Sequence, residues 1–428
     1  MTQSSVLAAG KAPMVASLEA ARGFAALYVT IAHLLQILGF KSGQGSMPLL
    51  VEMVGGYAHQ AVLFFFLLSG FSIHYASLHR PLDTWQGVKA YLLLRVRRLY
   101  PIWLVVYALA VILIWIGVQR DIPRYQVWWA GISQWDWWAN LLFLGDRGYV
   151  CGRLANALPS TAVWSLGYEV IYYLLYPVFW WSTRRFGIHR TLWAVGVTSG
   201  VAFWLNEQHC HHLWNVLELY IGWCLGAWIA HRQRVGLTFK LSGEAAFLVG
   251  MALLLVALAV GYTRFAALAE LSWLGLFFIL MAWHWADPTY RTPAGPRKAH
   301  LAMIMVLMAI LVLALEQWRH FATSSSLFTG RVIVFTLGSL ILLVWSGRPS
   351  AGTAMAQLTR WLLPLGGVSY AQYLLHLPLI QAGHAYGGPW GAIVALPITW
   401  LLAYWLEKQW QPQVNSRLPI HWPASAAR

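Results

Sequence analysis

The chain has 428 residues, of which 59% are hydrophobic and 15% aromatic but only 10% charged, with a mean hydropathy of +0.57. Soluble domains carry about 25% charged residues to meet water, so a soluble enzyme, a disordered chain and a disulfide scaffold are excluded and a polytopic membrane protein is indicated. The formal charge of +15 sits in short basic clusters between apolar runs, a topology signal rather than a nucleic-acid footprint, and the three scattered cysteines form no CxxC pair.

A membrane-crossing helix needs about 20 mostly apolar residues. Runs of that kind predict an all-α helical bundle with about 10–12 transmembrane spans, near 18–40, 57–78, 99–118, 161–182, 191–206, 213–230, 244–262, 265–285, 300–316, 331–347, 362–383 and 389–407. The stretch Trp135–Gly145 is too short to cross and is expected to lie in the interface as a tryptophan-rich helix. With both termini cytoplasmic, twenty Lys and Arg fall on inside segments and eight on outside segments, Arg22 lying within the first span. Basic residues are retained on the cytoplasmic side, so this orientation is expected. It makes 1–16 an N-terminal tail, 17–407 the membrane domain and 408–428 a C-terminal tail. The N-terminus shows no signal-peptide pattern, so the first span is expected to be retained. There is no internal repeat.

Ionisable residues within a span cost roughly 2.5–3.5 kcal/mol each on insertion scales, so each needs a reason. The first span holds Glu19, Arg22 and His33. Glu19 and Arg22 are i,i+3 neighbours within salt-bridge reach. Arg22 and His33 are eleven apart and return to nearly one face after roughly 16 Å of rise. Histidine is the side chain most readily poised to take a proton from a hydroxyl. A buried packing histidine is the bland reading of His33; the aligned Arg22 favours a functional one.

In the second span, Ser69-Gly70 within FFFLLSGFSIHY is a small-residue pair of the kind that lets helices approach, and His74 follows toward the cytoplasmic end. At the entrance to the third span, Arg95 and Arg98 share a helical face with Pro101 one turn on. Arginine forks hold phosphate oxygens bidentately, and positive-inside anchoring to headgroups explains the cluster equally well. Glu169 lies about one turn into the fourth span, in WSLGYEVIYYLLYP, where Tyr168, Tyr172 or Tyr173 can bond it. Late in the chain, Ser369, Tyr370, Tyr373 and His376 share one span. The run Glu207–His212 contains Cys210 and three histidines, but adjacent ligands in a short loop do not easily wrap one ion, and no metal is expected. Outer tryptophans such as Trp128, Trp129, Trp135, Trp137 and Trp138 suit stacking on sugar rings or interfacial anchoring.

Together these elements resemble acyltransferase family 3, integral-membrane enzymes that O-acylate glycans and small molecules. The resemblance runs over about 17–407 and rests on five motifs in order: Leu18-Glu19 through Arg22-Gly23 to His33, Phe65-Phe66 to Ser69-Gly70-Phe71, Arg95 and Arg98 before Pro101, Trp164-Ser165-Leu166 to Glu169, and Ser369-Tyr370 to His376. The first motif reads LEAARG where LDGLRG is commoner, and Gly167-Tyr168 replaces the usual pair before the glutamate.

The resemblance implies that His33 is the catalytic base, that Arg22 is essential and that the Arg95–Arg98 pair belongs to an acyl-CoA site. It also implies the stand-alone type, without a C-terminal esterase-like domain. Glu169 joins the expected catalytic set, and Glu169 or Glu19 is expected to orient the imidazole or hold Arg22. Ser69 and Tyr100 join the expected donor site, and Glu19, Trp164, Tyr370 and His376 form the expected acceptor site. The expected function is transfer of an acyl group, acetyl first, from cytoplasmic acyl-CoA to a hydroxyl of a cell-surface glycan or lipid-linked saccharide. No cofactor is permanently bound, no nucleic acid is involved, and the location is the bacterial inner membrane. A covalent acyl-histidine relay is the rival route. A secondary transporter also buries His, Arg and Glu and is the alternative, although transporters usually show paired broken helices or inverted repeats.

Overall fold

In hydrocarbon a backbone must satisfy its own polar groups, which favours helices. The computed structural model describes residues 3–40, 51, 55–80, 82–146, 155–156, 158, 162–209, 211–260, 266–284, 308–309, 332–339 and 349–422. They form an all-α polytopic bundle: α1 (Gln3–Ile37), α2 (Ala58–Ser77), α3 (Trp85–Gln119), α4 (Pro123–Gly131), α5 (Gln134–Leu141), α6 (Val163–Phe186), α7 (Ile188–Gln208), α8 (His212–Arg234), α9 (Gly243–Val260), α10 (Ala266–His284), α11 (Pro349–Gly366), α12 (Ser369–Trp405), a π-helical turn at Leu406–Trp410 and α13 (Gln411–Arg417). Between α5 and α6, Gly145–Asp146 and Ala155–Asn156 pair as a two-residue parallel ladder. Among the described residues, six helical stretches are long and apolar enough to cross a membrane.

Several boundaries differ from expectation. The third span was expected from 99, but α3 starts at Trp85, where the Thr84 hydroxyl accepts the Gly87 N–H and satisfies an orphan amide of the first turn. The expected span 362–383 is two helices, since α11 ends at Gly366 and α12 starts at Ser369. Helices α6 and α7 occupy the expected spans 161–182 and 191–206, but their polar and aromatic content keeps them out of the six. The interfacial stretch forms α5, opened by a capping box between Ser133 and Asp136. The expected span 300–316 lies outside the described residues except for 308–309, and of 331–347 only 332–339 are described, as helix.

The chain forms two compact units, Met1–Gly39 with Ala76–Ile221 and Leu362–Arg428, and Phe40–Tyr75 with Gly222–Trp361. In the first, α12 folds back on itself. Gly388 takes φ 61° and ψ −153°, a conformation that side chains resist, and Pro389 follows. Across the turn Gly383 and Gly391 meet backbone to backbone; a Cβ on Gly391 would fall 2.0 Å from the Gly383 carbonyl oxygen. The end of α1 packs on this hairpin through Leu34 and Ile37, against Ile380, Ala392 and Ala395. Lower down, α1 and α11 approach through two glycines: a Cβ on Gly23 would lie 2.5 Å from the Leu362 carbonyl oxygen, and one on Gly366 2.0 Å from that of Glu19.

In the second unit the Ser69-Gly70 step serves close packing. A Cβ on Gly70 would lie 1.8 Å from the Trp223 carbonyl oxygen, and one on Gly226 2.0 Å from that of Leu67, so α2 and α8 touch through paired glycines. The imidazole of His59 lies 2.6 Å from the Glu270 carboxylate and that of His74 3.3 Å from His231.

Gly366→Ala places a methyl against backbone that cannot yield, so it is expected to destabilise by about 1–3 kcal/mol. Gly196→Ala, whose Cβ would meet nothing within 4 Å, serves as the neutral control. Thermal unfolding in detergent reads both, and equal melting temperatures would contradict the α1–α11 contact.

Candidate active site

The first arm of α12 carries SYAQYLLH, residues 369–376, and each polar side chain on it reaches a different part of the first unit. Gln372 donates its Nε2–H to the Thr30 hydroxyl of α1 at 2.9 Å, and Thr30 in turn bonds the Ala26 carbonyl. One turn further, His376 Nε2 lies 2.8 Å from Nδ1 of His33, with the two ring planes within 8°. His376 is fully buried, whereas His33 is half-buried. The other ring nitrogen of His376, Nδ1, lies 2.7 Å from the Tyr373 carbonyl oxygen. The Tyr373 hydroxyl meets Ser165 of the WSL element at 2.7 Å. Thus α1, α6 and α12 are tied together around the His33 imidazole.

Tyr370 faces the arginine pair. Its hydroxyl donates to the Leu99 carbonyl at 2.9 Å, and its ring lies under the Arg98 guanidinium at 5.0 Å. Arg98 forms a two-pronged bond to Glu407, at 2.6 and 2.9 Å, and Glu407 also accepts the Ala371 N–H at 3.4 Å. The hairpin explains this meeting: Ala371 and Glu407 stand at equal distances in sequence from Pro389, so the second arm returns Glu407 to the level where the first arm began. The π-helical turn that carries Glu407 is of a type that recurs at functional sites.

Arg95 sits over the rings of Tyr91 and Tyr173, at 5.6 and 5.9 Å, and its buried Nε–H has no acceptor among the described residues. The Tyr173 hydroxyl donates to Glu169, whose carboxylate is near enough to Tyr91 and Tyr370 to act on both electrostatically. Of the tyrosines beside Glu169, Tyr172 instead bonds the Val216 carbonyl at 2.9 Å. Tyr100 packs edge-on against Phe143 at 5.1 Å.

The prolines in two of these motifs have a backbone role. A proline inside a helix removes the N–H that would bond the carbonyl four residues earlier. Pro101 thus orphans the carbonyl of Arg97, which accepts the Gln411 side chain at 2.9 Å. Pro177 orphans that of Tyr173, which accepts the Tyr91 hydroxyl at 3.3 Å. Sequence reading did not identify Gln411 or Glu407, because their relevance depends on where the hairpin returns.

The other expected residues make the following contacts. Arg22 is paired with Glu19 at 2.9 Å, so Glu19 holds Arg22, and His376 bonds the His33 imidazole. Trp164 packs edge-on against Tyr168, which packs on His212. Gly167 lets the Phe143 carbonyl approach to 2.3 Å of where a Cβ would stand, which accounts for the glycine at this departure from the motif. Ser69 belongs to the second unit. In the 207–212 run, His211 Nδ1 accepts the Leu213 N–H at the start of α8 and His212 is buried under Tyr168. Cys210 lies outside the described residues, and among those described no three metal-ligating side chains converge. Half-buried Asn206 donates to buried Asn215 and Glu218, linking α7 and α8. Between α4 and α5, Trp128 and Trp129 both pack edge-on against Trp137.

A family model described as an acyltransferase domain, that of acyltransferase family 3, matches residues 15–288. A curated relative, Acyltransferase MdmB of Streptomyces mycarofaciens, is 29% identical over 187 residues. That match covers 43% of this chain and 44% of the relative, so the chain spans less than half the length of the curated relative it matches. No solved structure matches the chain.

Because the Arg98 side chain is only partly enclosed, at 41% exposed, a double-mutant cycle with Arg98→Ala and Glu407→Ala is expected to give a coupling of about 1 kcal/mol. Strictly additive losses of stability would contradict a clamp between α3 and the returning arm.

Proposed function

The chain belongs to acyltransferase family 3, and on that premise we propose that it is a membrane O-acyltransferase, moving an acyl group, acetyl first, from cytoplasmic acyl-CoA to a hydroxyl of a cell-surface or exported glycan. The observation that carries this reading is the placement of two chemistries on one helix. Tyr370, under Arg98, and His376, beside His33, are six residues apart on α12, or about 9 Å of rise. A donor whose phosphates rest at the guanidinium level would have to send its flexible pantetheine arm across that depth to bring the thioester to the imidazole. Arg98 is committed to Glu407, so Arg95, with an uncommitted Nε–H, is the guanidinium assigned to the donor.

In the proposed step the acceptor O–H bond breaks, its proton passes to His33, and the oxygen attacks the thioester carbonyl. Collapse of the tetrahedral intermediate breaks the C–S bond. The imidazolium then returns its proton to the departing thiolate, so His33 ends neutral and free CoA carries a thiol. The excess of basic residues on alternate segments supports an inner-membrane location with both termini cytoplasmic.

His33→Ala, purified in lipid nanodiscs, is expected to lose at least about 100-fold of acceptor-dependent CoA release while its helicity and elution volume stay unchanged. A well-folded His33→Ala protein with the native rate ends the base assignment. For the acceptor, mass analysis of surface polysaccharide from cells with and without the protein is expected to show acyl groups only in its presence; identical spectra would contradict a glycan acceptor.

A further inference from the structure

We propose that His376 is a positioning residue for this reaction: it holds the proton of the His33 imidazole on Nδ1, which leaves the basic lone pair on Nε2 of His33. The inference rests on the reading of His33 as the base and adds which nitrogen is basic and what makes it so. The proton order is set by the backbone carbonyl of Tyr373. An oxygen of that kind has no proton to give, so in the 2.7 Å contact between Tyr373 O and His376 Nδ1 the imidazole donates. A neutral imidazole with its proton on Nδ1 presents a lone pair at Nε2. That lone pair faces His33 Nδ1 at 2.8 Å, so His33 must donate there and its own proton is on Nδ1. Both tautomers are therefore dictated by one carbonyl of α12.

The surrounding contacts keep this line of bonds in register. Gln372–Thr30 and His376–His33 are successive rungs between α12 and α1, and the Tyr373–Ser165 bond ties the same turn to α6. The near-parallel ring planes, within 8°, hold His33 in one orientation. When Nε2 of His33 takes the hydroxyl proton, the Nδ1–H···Nε2 bond becomes charge-assisted and strengthens. That stabilisation is absent in the ground state and present in the transition state, the kind of difference that raises kcat. A carboxylate in place of His376 would orient the ring as well, but it would put a formal charge inside the bundle before any chemistry begins.

The test compares His376→Leu, His376→Gln and His376→Asn with His33→Ala in the full chain in nanodiscs, using acetyl-CoA. The Gln amide oxygen reaches the place of Nε2 and accepts the same proton, whereas the shorter Asn amide stops near the place of Nδ1. The expected result is a loss in kcat of about 100-fold for His376→Leu and His376→Asn, an unchanged KM for acetyl-CoA, and recovery of most of kcat in His376→Gln. If His376→Leu does not fold, the contrast between Gln and Asn decides. Native kcat in all three His376 variants, equal losses in Gln and Asn, or a loss confined to KM overturns the positioning role. Retained activity in His33→Ala overturns the base assignment instead, so the two failures are distinguishable.

Discussion

A polar side chain buried among membrane helices has no water to return to, so it must find a partner on another helix or on exposed backbone. The 369–376 segment of α12 meets that requirement at every turn: Tyr370 bonds a carbonyl of α3, Gln372 a hydroxyl of α1, Tyr373 a hydroxyl of α6 and His376 the imidazole of His33. Interhelical hydrogen bonds of this kind are measured at about 0.6 kcal/mol on average in membranes, so their effect is less on gross stability than on register. A helix that slid by one residue would break all four bonds together. The same bonds that seat α12 therefore place the two imidazoles and the tyrosine under Arg98.

Proline contributes to the same end from the backbone. Within α3 and α6 it removes one N–H each and frees a carbonyl that a side chain of another segment then takes. The cost of a broken helical bond becomes an anchor point: Gln411 grips α3 at Arg97, and Tyr91 grips α6 at Tyr173. Glycine acts where backbone must meet backbone, at Gly23 with Gly366 and at Gly383 with Gly391. In a bundle where lipid is as apolar as leucine, such close approaches and polar bonds do the work that hydrophobic burial does in water.

The membrane class, most helices and the Glu19–Arg22 pair were legible because hydropathy and i,i+3 spacing are local properties of the chain. The break expected between 383 and 389 is present at Gly388 for the same reason. What was not legible depends on the return of the chain after that break. Glu407 reads as an ordinary charge at a helix end, yet the reversal sets it on Arg98, so one member of the expected donor pair already holds a carboxylate. His376 reads as one more polar residue of a late motif, and only the pairing of α1 with α12 sets it against His33. Sequence spacing offered Glu169 or Glu19 as partners of the imidazole or of Arg22; the structure pairs Glu19 with Arg22, sets another imidazole against His33 and bonds Glu169 to Tyr173.

For the proposed base, a neutral partner among membrane helices means that no formal charge has to be sustained on the pair between turnovers. The most direct measurement of this arrangement is nitrogen NMR on protein labelled at histidine, with the His33 signals assigned by their disappearance in a His33→Asn protein. The account predicts a protonated Nδ1 and a lone-pair Nε2 on His33 in the resting protein. A His33 ring with its proton on Nε2 would contradict it.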